Sequence, residues 1–157
     1  VILEEPVATS QPKNVIVAPG GTASFTFHAL YADGFSWDWK DLSWDQVDGD
    51  GLAESSGVYS RKLTLQNITE ELDGQAVYCN AQNELGSVQS DYAYITVGVA
   101  GDVNEDGEVT VADLLMLQRW LIQSGTVTNG RLGDLDGNGT LNGTDLYRLK
   151  RMLLIDA

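Results

Sequence analysis

Residues 101–122 align without a gap on residues 133–154, an offset of 32, and this duplication restricts the chain more than any other feature. The identical pairs are Gly101/Gly133, Asp102/Asp134, Gly107/Gly139, Asp113/Asp145, Leu114/Leu146, Leu117/Leu149, Arg119/Arg151 and Leu121/Leu153. Each copy opens on acids and glycines and closes on leucines spaced i, i+3 and i+7. Leu114, Leu117 and Leu121 mark one face of an amphipathic helix, and Leu146, Leu149 and Leu153 mark another. The period predicts helices over 111–123 and 144–155. Neither helix can cover its own apolar stripe, so the two leucine faces are expected to pack on each other.

The acidic half of each copy has the ligand spacing of a hard-cation loop. Oxygen-bearing residues stand at positions 1, 3, 5, 9 and 12, with glycine at 6. The first loop offers Asp102, Asn104, Asp106, Thr110 and Asp113 around Gly107. The second offers Asp134, Asp136, Asn138, Asn142 and Asp145 around Gly139. Position 7, Glu108 or Thr140, contributes a backbone carbonyl, and position 9 often acts through water. Calcium takes six to eight oxygens in a flexible shell, whereas Mg²⁺ demands a rigid octahedron. Zinc is excluded by ligand type, since this half has no Cys and His28 lies in the other half. An Asp/Asn/Gly string alone is a turn signal. Two such strings in register, each leading into a matching helix, point to two Ca²⁺.

No helical period precedes either loop, over 94–100 or 126–131, so the entering helix of an EF-hand is missing. Position 12 is Asp rather than Glu. The unit is therefore loop-then-helix, and a calmodulin-like sensor that opens a groove is excluded.

Charge separates the two halves. The chain carries a net −14, of which −10 lies in residues 1–98 and −4 in residues 99–157. Two divalent cations would neutralise the second half. Such acidity excludes a nucleic-acid partner and a basic membrane-surface helix, both of which need clustered cations. The opening Val1-Ile2-Leu3-Glu4-Glu5 has no basic stretch of a signal peptide and is expected to be an internal boundary of a longer chain.

Residues 1–98 read as β structure. Short apolar or alternating runs recur at 15–17, 23–29, 35–39, 61–65, 76–81 and 92–97, separated by Gly, Asp and Asn turns. An antiparallel sandwich is expected, held by Phe25, Phe27, Trp39, Leu63, Leu65 and Cys79, with at most one helical turn at 69–73. The break falls near Gly98-Val99-Ala100-Gly101, giving domains 1–98 and 99–157. So short a connection implies domains in contact.

Residues 101–155 resemble a dockerin module, in the twice-repeated pattern G-D-x-[ND]-x-[DN]-G-x-[VL]-[TN]-x-x-D-L-x-x-L-x-R-x-L. The resemblance implies a calcium-dependent module that docks into a cohesin on a scaffoldin or cell-surface protein. It would anchor its parent in a secreted, extracellular cellulosome-type complex that degrades polysaccharide. Every ligand position of the pattern is filled. In that family, loop positions 10 and 11 and the exposed helix face meet cohesin. Here that face is Val111, Ala112, Leu115, Met116, Arg119 and Gln123 in the first copy. In the second it is Gly143, Thr144, Tyr147, Arg148, Arg151 and Ile155. Because Val111-Ala112 and Gly143-Thr144 differ, two equivalent docking orientations are not expected. Leu115, Met116 and Trp120 could equally pack against the first domain.

Asp73-Gly74-Gln75-Ala76-Val77-Tyr78-Cys79 and the stretch to Gly86 resemble the F strand and F–G turn of bacterial immunoglobulin-like domains. Pro12–Phe27 and Trp39 resemble strands A′, B and C. Cys79 is the single cysteine, so the inter-sheet disulfide is missing, and Val77 replaces the tyrosine-corner residue. Such a neighbour, like an X-module, would buttress the dockerin or extend its interface. An alternative is a carbohydrate-binding sandwich, with Trp37, Trp44, Tyr31 and Tyr59 as a stacking platform and the repeat as a calcium staple. No catalytic residues are assigned, since one His and one Cys supply no nucleophile–base pair, and an enzyme is not expected.

Overall fold

The computed structural model describes residues 4–44, 47 and 54–155. Ten strands come first among the described residues. They are β1 (Val7–Ser10), β2 (Val15–Val17), β3 (Gly21–Thr26), β4 (His28–Leu30), β5 (Gly34–Trp39), β6 (Glu54–Ser56), β7 (Lys62–Ile68), β8 (Ala76–Asn83), β9 (Gly86–Gln89) and β10 (Ala93–Val97). The strands expected from sequence are all present; β1, β6 and β9 lacked a strong apolar alternation and were not foreseen. A one-turn 3₁₀ helix at Glu70–Leu72 occupies the expected helical turn.

Two sheets face each other. In one, the order is β2-β10-β8-β5, with β9 also on β8; β10 runs parallel to β2 and antiparallel to β8. In the other, β3 pairs β7 and β7 pairs β6. Strand β4 continues β3 after a break at Phe27 and pairs β1. The arrangement is β1-β4 and β3-β7-β6 against β2-β10-β8-β5, an immunoglobulin-like sandwich.

Period-2 alternation decides which side chains fill the space between the sheets. Phe25, Phe27, Trp37, Trp39, Leu63, Leu65, Val77, Cys79 and Ile95 are all buried there. Trp37 lies opposite Cys79 in the β5–β8 register, and its ring meets Phe25 at a centroid distance of 6.3 Å. Packing replaces the missing disulfide. Burial also pushes the Cys79 thiol up to about 11, so it rests as a neutral apolar group.

After β10 the chain turns into the duplicated unit, with α1 at Val111–Leu121 and α2 at Gly143–Ile155. Thr110 caps α1, accepting from the Ala112 amide at 3.2 Å, while Asp113 accepts from the Thr110 amide at 2.7 Å. This capping box satisfies two of the free amides of the first turn. Gln123, at φ 62°, ends α1 two residues before the expected limit, and the Ser124 amide bonds back to the Arg119 carbonyl at 2.9 Å. Leu117 and Leu149 are fully buried, joined by Val103 and Leu132. The other four duplicated leucines are half-buried.

Candidate calcium and docking site

Each loop folds around its own carboxylates. In the first, Asp102 accepts from the Asp106 amide at 3.2 Å and the Gly107 amide at 2.9 Å. Asn104 and Asp106 accept from amides two residues on, at 3.2 and 2.9 Å. Asp113 closes the loop by accepting from the Asn104 amide at 3.2 Å. The second loop repeats this plan. Asp134 accepts from Gly139 at 2.9 Å, Asp136 from Asn138 at 3.2 Å, Asn138 from Thr140 at 2.9 Å and Asp145 from Asp136 at 3.3 Å. Gly107 at φ 90° and Gly139 at φ 83° make the turn at position 6, where a Cβ would be strained.

Two carboxylate triads result, Asp102/Asp106/Asp113 and Asp134/Asp136/Asp145, each with ligand oxygens within 4.8 Å of one another. Asp113 and Asp145 are fully buried and Asp102 is 4% exposed. The ion pairs among the described residues, Lys40–Asp41 and Arg131–Asp73, do not reach either triad. A buried carboxylate without a counter-charge is costly, and three together repel. Burial holds the Asp134 carboxyl above its ordinary value, with Asp136 and Asp145 adding to the rise against the Gly139 amide. Burial likewise raises Asp145, opposed by the amides of Asn142 and Asp136. The Asp134 Oδ1 is buried with no hydrogen-bond partner, an acceptor that a cation would satisfy. An all-oxygen donor set with this deficit of positive charge fits Ca²⁺.

Thr110 and Asn142, at position 9, also serve as helix caps, the latter accepting from Thr144 at 3.0 Å. Asp113 and Asp145 hold the loop and the first turn of the helix at once. Ion site and helix start are therefore one structure.

The helix faces suggested for docking are largely open to solvent. Val111, Leu115 and Tyr147 are 60%, 45% and 59% exposed. Ala112, Arg119, Gln123, Gly143, Thr144, Arg148 and Arg151 are exposed, and Met116 is half-buried. Ile155 ends α2, and its side chain lies outside the described residues. The faces form two separate concave patches. Ala112, Leu115, Met116 and Arg119 line one on α1, while Thr144, Tyr147, Arg148 and Arg151 line the other on α2. Arg151 donates to the Tyr147 hydroxyl at 3.2 Å, joining two of these side chains.

The β-sandwich meets the second loop and the turn before it. Leu115 and Trp120 remain exposed, so the alternative of packing them on the sandwich is not what the structure does. Instead the Asn14 amide donates to the Gly137 carbonyl at 3.0 Å, and Arg131 pairs with Asp73 at 3.0 Å. A Cβ on Gly98 would come within 2.9 Å of Leu132. One sequence signal hinted at this junction: Gly137 breaks the repeat where the first loop has Glu105. The suggested sugar platform does not assemble as expected. Trp37 is 2% exposed and donates to the Ser60 carbonyl at 2.7 Å, because alternation turns it inward. Trp44 is half-buried and donates to the Trp37 carbonyl at 3.0 Å, while Tyr31 and Tyr59 are exposed.

Fold and donors together define a duplicated loop–helix module, suited to cations, behind an immunoglobulin-like sandwich. Residues 100–154 match the family described as "Dockerin type I domain". Solved structures resemble the N-terminal part. "Chimeric titin Z1Z2 functionalized with a KLER exogenous peptide from decorin" is 22% identical with a TM-score of 0.47, covering 62% of this chain and 97% of that one. "Tandem Ig repeats of Dlar" is 22% identical with a TM-score of 0.48, covering 62% of this chain and 48% of that one. The Ig1-2 module of the Drosophila receptor protein tyrosine phosphatase DLAR is 23% identical with a TM-score of 0.45, covering 60% of this chain and 46% of that one. The chain thus spans about half the length of the two Dlar structures. A search of curated proteins found no match. No helix among the described residues is long and apolar enough to cross a membrane.

Proposed function

We propose that the chain is a non-catalytic, calcium-dependent docking module with an N-terminal domain over 1–98 and a dockerin over 99–157. It binds two Ca²⁺ through Asp102, Asn104, Asp106, Glu108, Thr110 and Asp113, and through Asp134, Asp136, Asn138, Thr140, Asn142 and Asp145. The partner is a cohesin on a scaffoldin or anchoring protein, and docking places the parent protein in an extracellular polysaccharide-degrading complex. The observation that carries this reading is the pair of carboxylate triads, each with its last Asp fully buried and fused to a helix that leaves an apolar and basic face uncovered. Calcium would order the helices, and the ordered faces would meet the partner. Val111-Ala112 and Gly143-Thr144 differ in size and polarity, which supports one docking orientation. The sandwich acts as a buttress for the dockerin.

The test is retention of the chain by a panel of immobilised cohesins, with calcium and with EDTA. Capture by at least one cohesin in calcium alone is expected. Binding that persists in EDTA, or no capture by any cohesin type, overturns the reading. Met116→Asp and Arg148→Asp, tested separately, distinguish the faces: unequal losses fit one orientation, and equal losses contradict it.

A further inference from the structure

The two loops are copies in sequence but not in surroundings. The carbonyl of Gly137, at loop position 4, accepts from the Asn14 amide at 3.0 Å, and the Asn14 Oδ1 accepts from the Tyr94 amide of β10 at 2.8 Å. Just before the loop, Arg131 pairs with Asp73 Oδ2 at 3.0 Å, whose Oδ1 accepts from the Val97 amide at 2.9 Å. One contact runs from the β-sandwich to the second loop and the other to the turn before it. The first loop has neither. Its counterpart of Arg131 is Val99, 43% exposed, and its counterpart of Gly137 is Glu105, which bonds Asn129 within the dockerin at 2.8 Å.

Backbone geometry explains the substitution. Both positions adopt the left-handed region, φ 56° at Glu105 and φ 70° at Gly137. A side chain is therefore tolerable at this turn, as Glu105 shows. At Gly137 a Cβ would strike the Asn14 carbonyl. Glycine here serves the approach of the sandwich rather than the turn itself.

The junction joins an apolar contact, Gly98 against Leu132, to these polar ones. A cleft of about 790 Å³ runs between the two parts, bordered by Asn14, Ile16, Tyr94, Arg131 and Asp134. The bond to the Gly137 carbonyl is made to loop backbone and depends on the loop keeping its closed shape. Ion binding maintains that shape, since the Gly137 carbonyl lies between ligand positions 3 and 5.

We propose that the β-sandwich is a clamp specific to the second loop, so that calcium there and sandwich docking stabilise each other while the first loop fills independently. Any contact made only with the loaded loop must, by linkage, raise that loop's affinity for its ion. This inference rests on the calcium reading of the loops.

The test uses the full chain and calcium itself. Calcium affinity is measured calorimetrically in the parent, in Arg131→Ala, and in each on an Asp106→Ala background that disables the first loop. An exposed ion pair of this kind corresponds to about a twofold to fivefold change in affinity. Arg131→Ala should weaken the second-loop event by that factor and leave the first-loop event unchanged. In parallel, amide exchange at Asn14 in calcium should stay slow in Asp106→Ala and become fast in Asp136→Ala. If Asp136→Ala unfolds, as loss of helical circular dichroism would reveal, the Arg131→Ala affinities decide alone. Equal weakening of both events, or no change in either, overturns the clamp while leaving the calcium sites intact. Absence of any calcium binding overturns both.

Discussion

Withdrawing calcium should melt the C-terminal unit and spare the sandwich. Each loop gathers three carboxylates with oxygens within 4.8 Å. At an effective dielectric of about 20, one such pair repels by about 3 kcal/mol, so a fully ionised triad stores roughly 10 kcal/mol. Against it stand the fully buried apolar side chains Val103, Leu117 and Leu149 and the nearly buried Leu132. At about 1.5–3 kcal/mol each, they contribute roughly 6–12 kcal/mol before conformational entropy is subtracted. One unneutralised triad cancels that core, and two exceed it. Stoichiometric calcium reverses the balance. Far-ultraviolet circular dichroism at neutral pH should lose its helical component in excess EDTA and regain it when calcium is restored. The sandwich supplies its own control. Cys79 is buried with its thiol pushed up to about 11, so it should resist alkylation throughout and react only in denaturant. Full helicity in EDTA at low salt would refute the argument, as would Cys79 becoming reactive when calcium is removed.

Other perturbations separate the layers of the structure. Asp113→Ala removes both a loop carboxylate and a member of the capping box, so it should cost more than Asp113→Asn by about 1 kcal/mol of helix stability, read from melting in saturating calcium. Trp37→Ala should destabilise the sandwich by about 3–5 kcal/mol in urea unfolding, because its ring fills the space beside Phe25 and Cys79. Acidification should release the second-loop ion. The Asp134 and Asp145 carboxyls are held above the ordinary range, so their affinity for calcium is present above that raised value and lost as pH falls through it. Calcium titrations of Asp106→Ala across the acidic range would show this as affinity declining before an unperturbed carboxylate protonates. Gly98→Val should loosen the junction, since Leu132 already lies within 2.9 Å of a Cβ there, and solution scattering would record a more extended particle.

The duplicated pattern was sufficient to place both loops and both helices. Such information is local. Ligand spacing within twelve residues, a capping box and a 3.6-residue period all act over one or two turns of chain, and the same run of residues encodes and executes them. Most strands were legible too, because alternation records which side of a sheet is buried. β1, β6 and β9 were not, since these short strands (VATS, ESS and GSVQ) carry little apolar alternation of their own. Trp37 could have faced a ligand or the core, and only the pairing that sets it opposite Cys79 turned it inward. The junction needed tertiary structure most of all. Asn14 and Gly137 are 123 positions apart, as are no two members of any local motif, and their bond exists because β2 forms one edge of its sheet. Sequence alone determined that there are two similar loops; folding made them unequal, because a backbone amide and an ion pair from the sandwich reach one loop and not the other.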